Sequence, residues 1–212
     1  MADGGLVLGA AGNASARAGD LVAVSPSRLW YDTLRTEDVC LVETDGTLVE
    51  GPTPSVELPM HLAVLAARSE VGAVVHTHSP YATALSRIVN EIPVVEPELT
   101  ELVGGELPVA RPAASGEAEL GEAVLDAAGS RWAAVVRDHG PVCFGRDLDG
   151  ALACAFAVEE NARIFALARL LGSYGIACDA DLRAHGFRRA PVLKRPLPNP
   201  WSLRAAGRRS CC

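Results

Sequence analysis

Val71-Gly72-Ala73-Val74-Val75-His76-Thr77-His78 is the stretch of this sequence that decides the fold and points to a site. Its apolar run predicts a buried strand that ends in two histidines. Side chains two positions apart in a strand point to the same side, so both imidazoles are expected to aim at one point beyond the strand. The spacing of His76 and His78 therefore predicts half of a metal site.

A third histidine follows a similar apolar run. The chain has five histidines, and His139 comes shortly after the apolar residues 132–136. Catalytic zinc commonly has three protein ligands and one open position, and neutral imidazole suits zinc and its borderline neighbours. The alternative for any one of these histidines is a purely structural role. Of the other two, His61 is expected to pack or to support the site, and His185 to be exposed.

Length and charge limit the class of protein. With 212 residues, 22.1 kDa and a net charge of -7, the chain is expected to form one domain over residues 1–190, followed by a flexible tail over residues 191–212. Nucleic acid and anionic membranes call for a basic surface, so neither is an expected partner. There is no apolar run of membrane-spanning length and no signal-peptide pattern, and we therefore expect a cytoplasmic protein.

The apolar patterns predict alternating strands and helices. Besides the histidine strand, strands are expected at residues 21–24, 38–42 and 132–137. Helices are expected at residues 55–68, 80–89, 116–128 and 149–172, the first with Ser55 as its N-cap. Residues 9–15 are predicted to form a tight turn, and residues 91–116 a long connection with short strands.

Five short motifs, taken in order, resemble a known family. They are Gly12-Asn13-Ala14-Ser15, Ser25-Pro26-Ser27, Pro54-Ser55-Val56-Glu57 with His61, His76-Thr77-His78-Ser79, and His139-Gly140. In this order and spacing they are similar to the class II aldolase/adducin superfamily, in particular to the L-fuculose-1-phosphate aldolases. The resemblance covers roughly residues 8–172, which is most of the chain.

The resemblance implies a fold, a metal and a set of site residues. The family fold is a single α/β domain with three αβα layers around a mainly antiparallel sheet, commonly assembled as a homotetramer with active sites between subunits. The implied zinc ligands are His76, His78 and His139. Glu57 is the implied catalytic acid/base. The residues implied to hold the substrate phosphate are Gly12, Asn13, Ser27 and Ser55.

These residue types fit the chemistry of aldol cleavage. Breaking a carbon–carbon bond next to a ketone leaves an enediolate, whose negative charge a zinc ion held by neutral imidazoles can stabilise. A nearby carboxylate can move the protons, and burial is expected to raise its pKa. The implied function is a zinc-dependent aldolase that reversibly cleaves a ketose 1-phosphate, of the L-fuculose or deoxypentulose phosphate type, to dihydroxyacetone phosphate and an aldehyde.

Several positions depart from the family pattern. Ala10 and Val56 stand where the family aldolases usually have hydroxyl residues, Arg28 stands where they often have glycine, and Pro97 lies near the position of a tyrosine that protonates the leaving carbanion. A related zinc lyase, either a sugar-acid decarboxylase or a dehydratase, is therefore an alternative. An epimerase is less expected, because that branch usually has aspartate in place of Glu57. A non-catalytic scaffold like the adducin head is the least expected, because the full ligand set is present.

Overall fold

The computed structural model describes residues 1–95 and 97–171, and a nine-stranded sheet runs through the centre of this part of the chain. Its strands are β1 Asn13–Ala18, β2 Leu21–Val24, β3 Cys40–Val42, β4 Leu48–Glu50, β5 Ala73–His76, β6 Glu91–Ile92, β7 Leu107–Ala110, β8 Ala133–Val136 and β9 Gly140–Gly145. The order across the sheet is β4-β3-β2-β1-β5-β9-β8-β7-β6. Neighbouring strands are antiparallel except β7 and β8, which are parallel.

Five α-helices accompany the sheet in the described residues. They are α1 Leu58–Ala67, α2 Pro80–Ser86, α3 Pro97–Val103, α4 Ala118–Ala128 and α5 Leu148–Leu171. Both α1 and α2 have a proline in their first turn, where the missing N–H group has no partner to lose. Helix α4 ends at Gly129, whose φ of 56° is one that a side chain disfavours.

The helices form one layer on each face of the sheet. Successive residues of β5 point to opposite faces, so that Val74 packs in the core under α1 and α4, whereas Val75 packs in the core under α2, α3 and α5. Both valines are fully buried, as expected of a strand covered on both sides. The predicted α/β class, with three layers around a mainly antiparallel sheet, is confirmed.

Four local predictions were wrong. The tight turn predicted for residues 9–15 ends at Gly12, because residues 13–15 already belong to β1. Strand β9 was not predicted at all, and the predicted connection over residues 91–116 contains the helix α3 as well as the short strands β6 and β7. Helix α1 begins at Leu58 with Glu57 as its N-cap, so Ser55 is not the N-cap.

Some predictions fall outside the described residues. These are the domain boundary at residue 190, the flexible tail over residues 191–212 and the exposure of His185. Within the described part, no helix combines the length and the apolar character that crossing a bilayer requires.

Candidate metal and active site

The register of three central strands places the first site residues side by side. Asn13 of β1 pairs with His76 of β5, and His76 pairs in turn with Val142 of β9. Strand β5 ends at His76, so His78 lies beyond the strand, and the predicted alternation within one strand does not apply to it. The two imidazoles nevertheless lie close together, with ring centroids 5.0 Å apart.

A tight hairpin brings in the third histidine. Val136 of β8 pairs with Gly140 of β9, so the hairpin loop consists of three residues that include Asp138, with a φ of 62°, and His139. Gly140 packs so closely on the Thr77 carbonyl that a Cβ atom at this position would overlap its oxygen. The glycine thus allows the hairpin to approach the end of β5, and the His139 ring centroid lies 4.7 Å from that of His76 and 4.9 Å from that of His78.

The three histidines and Glu57 have the spacing of a metal site. One ligand atom from each lies within 4.8 Å of all the others. The Nε2 atoms of His76 and His139 are 3.3 Å apart, and the two Glu57 oxygens lie 3.3 Å from His76 Nε2 and 3.4 Å from His139 Nε2. Ligand atoms about 2.0 to 2.1 Å from a tetrahedral Zn²⁺ are about 3.3 to 3.4 Å from one another. These residues therefore fit a zinc-sized ion.

The protonation of His76 also suits a ligand. Its Nδ1 atom is 2.9 Å from the Pro141 carbonyl oxygen, which can only accept, so Nδ1 carries the proton and Nε2 is free to bind a metal. Burial lowers the pKa of His76 below its ordinary value despite the nearby Glu57, and burial together with His139 lowers the pKa of His78. Near neutral pH both imidazoles are uncharged, which is the form that coordinates metals.

Two hydrogen-bond donors hold the Glu57 carboxylate, which is almost fully buried. The Asn13 side-chain amide donates to Oε2 at 2.7 Å, and the Ser115 hydroxyl donates to Oε1 at 2.7 Å. Burial alone would raise the pKa of Glu57, but His76, the Asn13 and Ser115 hydrogen bonds and His139 together hold this pKa below its ordinary value. The predicted rise was therefore wrong, because hydrogen bonds to the charged form outweigh desolvation here.

A cavity of about 470 Å³ opens above this cluster. It is lined by Glu57, His78 and His139 and by all four residues predicted to bind the substrate: Gly12, Asn13, Ser27 and Ser55. Gly12 has a φ of 72°, and a Cβ atom there would lie 2.6 Å from the His76 carbonyl oxygen, so the turn before β1 needs glycine to pass this close to β5. The fold thus brings the predicted residues to one concave surface.

Two loops that form one side of the cavity are tied together by their backbones. Ser27 N–H donates to the Thr53 carbonyl at 2.9 Å, and Ser55 N–H donates to the Ser25 carbonyl at 3.1 Å. Ser55 Oγ also accepts the Glu57 N–H at 3.2 Å. The backbone N–H groups of Ser27 and Ser55 therefore already have partners, and these two residues can offer a substrate only their hydroxyl groups.

The sequence gave no sign of two features of the site. Ser115 lies in a loop with neither helical nor strand periodicity, and only the folded chain shows its contact with Glu57. His61 was expected to have a supporting role, and the structure places it 2.5 Å from Asn13 Oδ1 through Nε2 and 2.7 Å from Ser15 Oγ through Nδ1. It is not among the clustered metal-site residues.

Comparisons with known proteins agree with this geometry. The profile of the Class II Aldolase and Adducin N-terminal domain matches residues 1–166. The chain is 37% identical over 158 residues to a 5-methylthioribulose-1-phosphate/5-deoxyribulose-1-phosphate aldolase of Rhodospirillum rubrum, covering 74% of this chain and 72% of the relative. It is 35% identical over 179 residues to the L-ribulose-5-phosphate 4-epimerase UlaF of Salmonella paratyphi B, covering 78% of each.

The fold has solved counterparts as well. A structure titled L-fuculose 1-phosphate aldolase superposes with a TM-score of 0.75 at 28% identity, covering 85% of this chain and 86% of that one. The family profile spans most of the chain, and relatives above 30% identity are matched over more than two thirds of their length. The predicted resemblance is thereby confirmed: the chain belongs to the class II aldolase/adducin family, and it is a metal-dependent lyase of that family.

Proposed function

We propose that the protein is a zinc-dependent aldolase that reversibly cleaves a ketose 1-phosphate, of the L-fuculose or deoxypentulose phosphate type, to dihydroxyacetone phosphate and an aldehyde. The observation that carries the proposal is the convergence of His76, His78, His139 and Glu57 at the floor of one cavity. Among the relatives, aldolases named for phosphorylated deoxypentuloses and for L-fuculose phosphate favour this substrate class.

The chemistry follows from which groups face the cavity. A zinc ion held by His76, His78 and His139 would withdraw electrons from the carbonyl and hydroxyl oxygens of the substrate and so stabilise the negative charge of the enediolate. In cleavage, a hydroxyl proton leaves to a base, the carbon–carbon bond breaks, and its electron pair stays on the ketone fragment until a proton returns to carbon. Glu57 is the anionic group at this point, and we assign it the transfer of these protons.

The phosphate is proposed to bind at the rim formed by Gly12, Ser27 and Ser55. Arg28 lines the same rim and is exposed, and its backbone is left-handed with a φ of 63°. No residue of the described ranges 1–95 and 97–171 pairs with its guanidinium group, which is thus available to an anion. We propose that Arg28 supplies charge that compensates for the hydroxyls missing at Ala10 and Val56.

One observation favours a second candidate, a related zinc lyase such as a sugar-acid decarboxylase or dehydratase. Pro97 begins α3 close to the place where the family aldolases have their tyrosine, and proline offers no proton to a carbanion. A decarboxylase would need less help there, because loss of carbon dioxide yields a similar enolate that can take its proton from Glu57 or water. A solved relative titled putative aldolase/epimerase/decarboxylase, at 26% identity, keeps this reaction in view.

The assembly and location stay predictions. We propose a homotetramer in the cytoplasm, and three exposed apolar side chains near the cavity support a subunit contact there: Leu8, Trp30 and Val56 are 89%, 61% and 60% exposed. Light scattering would measure the mass of the assembly, and a monomer at micromolar concentration would contradict the tetramer.

A retro-aldol assay tests the proposed function. The purified protein, loaded with zinc, is incubated with a panel of ketose 1-phosphates and 3-oxo acids, and dihydroxyacetone phosphate and carbon dioxide are measured separately. The aldolase proposal expects dihydroxyacetone phosphate, lost on treatment with a chelator and restored by zinc. Carbon dioxide as the only product would favour the decarboxylase, and full turnover by the metal-free protein would contradict both candidates.

A further inference from the structure

We propose that His61 is a positioning residue, which together with Ser15 holds the Asn13 side-chain amide in the one orientation that lets it donate to Glu57. The three residues form a continuous chain of hydrogen bonds behind the carboxylate, and their contacts measure 2.7, 2.5 and 2.7 Å from Ser15 through to Glu57. The inference about catalysis rests on the proposed role of Glu57, whereas the inference about protonation does not.

The orientation of each member follows from the next. An ionised carboxylate only accepts hydrogen bonds, so the Asn13 atom that faces Glu57 is Nδ2 and the atom that faces His61 is Oδ1. Because Oδ1 only accepts, His61 Nε2 carries a proton. A neutral imidazole then has no proton on Nδ1, and the Ser15 hydroxyl donates to that nitrogen. Every donor in the chain points toward a group that accepts.

The surroundings keep this arrangement in place. Ser15, Asn13 and His61 are 2%, 5% and 0% exposed, so water cannot replace a lost partner. Asn13 and Ser15 stand two residues apart on β1 and point to the same face, while His61 is one helical turn after Glu57 on α1. Burial lowers the pKa of His61 to about 4, which keeps the ring neutral at pH 7 although Glu57 is near.

Reversal of the Asn13 amide would change the site. Its carbonyl oxygen would then face the Glu57 carboxylate, and two groups that only accept hydrogen bonds repel each other at this distance. Such a reversal would also leave Asn13 Nδ2 facing the Nε2–H of His61. A bare Oδ1 with no partner at position 61 removes this second penalty, so loss of His61 permits the unproductive orientation. His61 thus acts on Glu57 through Asn13, without touching the substrate.

The protonation is tested first on the unmodified protein. Metal-free protein is labelled with nitrogen-15 only in its five histidines, and solid-state spectra are recorded at pH 7. The His61 signals are identified by their loss in a His61→Gln variant. The proposal expects a neutral ring with its proton on Nε2. A proton on Nδ1, or on both nitrogens, would overturn it, whether or not the protein proves to be an aldolase.

Two substitutions test the effect on catalysis. In His61→Gln a side-chain amide can still donate to Asn13, whereas in His61→Leu it cannot. We expect His61→Leu to lower kcat by about 10- to 100-fold, the effect of one weakened hydrogen bond to a charged group, with KM and bound zinc changed less than about threefold. His61→Gln is expected to stay within about fivefold of the unmodified enzyme. Equal losses in the two folded variants would mean a merely structural role and overturn the proposal.

If the unmodified protein shows no aldol cleavage, the proposed function fails, and the nitrogen-15 spectra still decide the orientation of the chain. If the His61→Leu variant does not fold, the same spectra decide it without that variant. Circular dichroism and thermal unfolding of both variants establish which case applies.

Discussion

Replacing Ser115 by alanine removes one of the two donors to Glu57 without creating a cavity of any size. The Ser115 hydroxyl lies 2.7 Å from Oε1, and the residue itself is exposed at the cavity rim. A hydrogen bond to a charged group contributes about 1.5 to 3 kcal/mol, and solvent near the rim reduces that value to about 1 to 2 kcal/mol. We therefore expect kcat/KM for the proposed cleavage to fall by roughly 5- to 30-fold.

Comparison with Asn13 sharpens this expectation. Asn13 donates to the other oxygen of Glu57 at the same distance but is only 5% exposed, so water cannot take its place. Asn13→Ala is therefore expected to cost more activity than Ser115→Ala. Steady-state kinetics of both variants at saturating zinc give the two values, and thermal unfolding confirms that both proteins are folded.

A matched control comes from Ser69→Ala, because Ser69 is an exposed serine before β5, at the end of that strand away from His76. It should leave kcat/KM unchanged. The reasoning would be refuted if Ser115→Ala stayed within twofold of the unmodified enzyme, or if it cost more activity than Asn13→Ala.

Three further predictions follow from other parts of the structure. Arg28→Ala should raise KM for a phosphorylated substrate by about tenfold or more. Arg35→Ala, a control that changes an exposed arginine paired with Glu37, should not raise this KM, and equal KM values for the two variants would contradict the proposed contact. The free energy of unfolding of the metal-free protein should fall between pH 7.5 and 4.5, because the pKa of His61 is about 4 when folded and about 6.5 when unfolded, so the unfolded chain takes up the proton first. This one group accounts for about 2 to 3 kcal/mol, and chemical denaturation should show a smaller fall for His61→Leu. Gly140→Ala should destabilise the fold by about 3 kcal/mol or more, since its Cβ atom overlaps the Thr77 carbonyl, whereas Gly129→Ala, with no atom within 4 Å, should cost about 1 kcal/mol from backbone strain; similar losses in thermal unfolding would contradict this contrast.

Local patterns predicted the elements whose signal lies within one segment. The strand at residues 21–24 and the helices after Ser55 and Pro80 stand where apolar spacing and helix-start residues put them. Strand β9 was missed because Gly140, Pro141 and Gly145 are residues that normally mark turns. Pro141 fits near the start of this strand since its carbonyl, rather than an N–H, is what the neighbours use: it accepts from Thr77 N–H and from His76 Nδ1.

The site was predictable in its ligands and not in its supporting contacts. Histidines at strand ends carry a signal in the sequence, because few residue types bind metals and their spacing is regular. The contact of Ser115 with Glu57 joins residues 58 positions apart and depends on how a loop closes over α1. The direction of the pKa shift of Glu57 was mispredicted for the same reason, since the donors that lower this pKa come from β1 and from that loop.

The departures from the family pattern fall at the edge of the site rather than at its centre. Val56, Arg28 and Pro97 are exposed and Ala10 is half-buried, whereas His76, Glu57 and the residues that support them are buried. A buried polar network changes at high cost, because each lost partner leaves a group that water cannot reach. An exposed rim residue can change at little cost to folding and still alter which substrate group finds a partner. The same centre can therefore serve substrates that differ at the rim, and Arg28 is the residue at which this chain's own choice is to be sought.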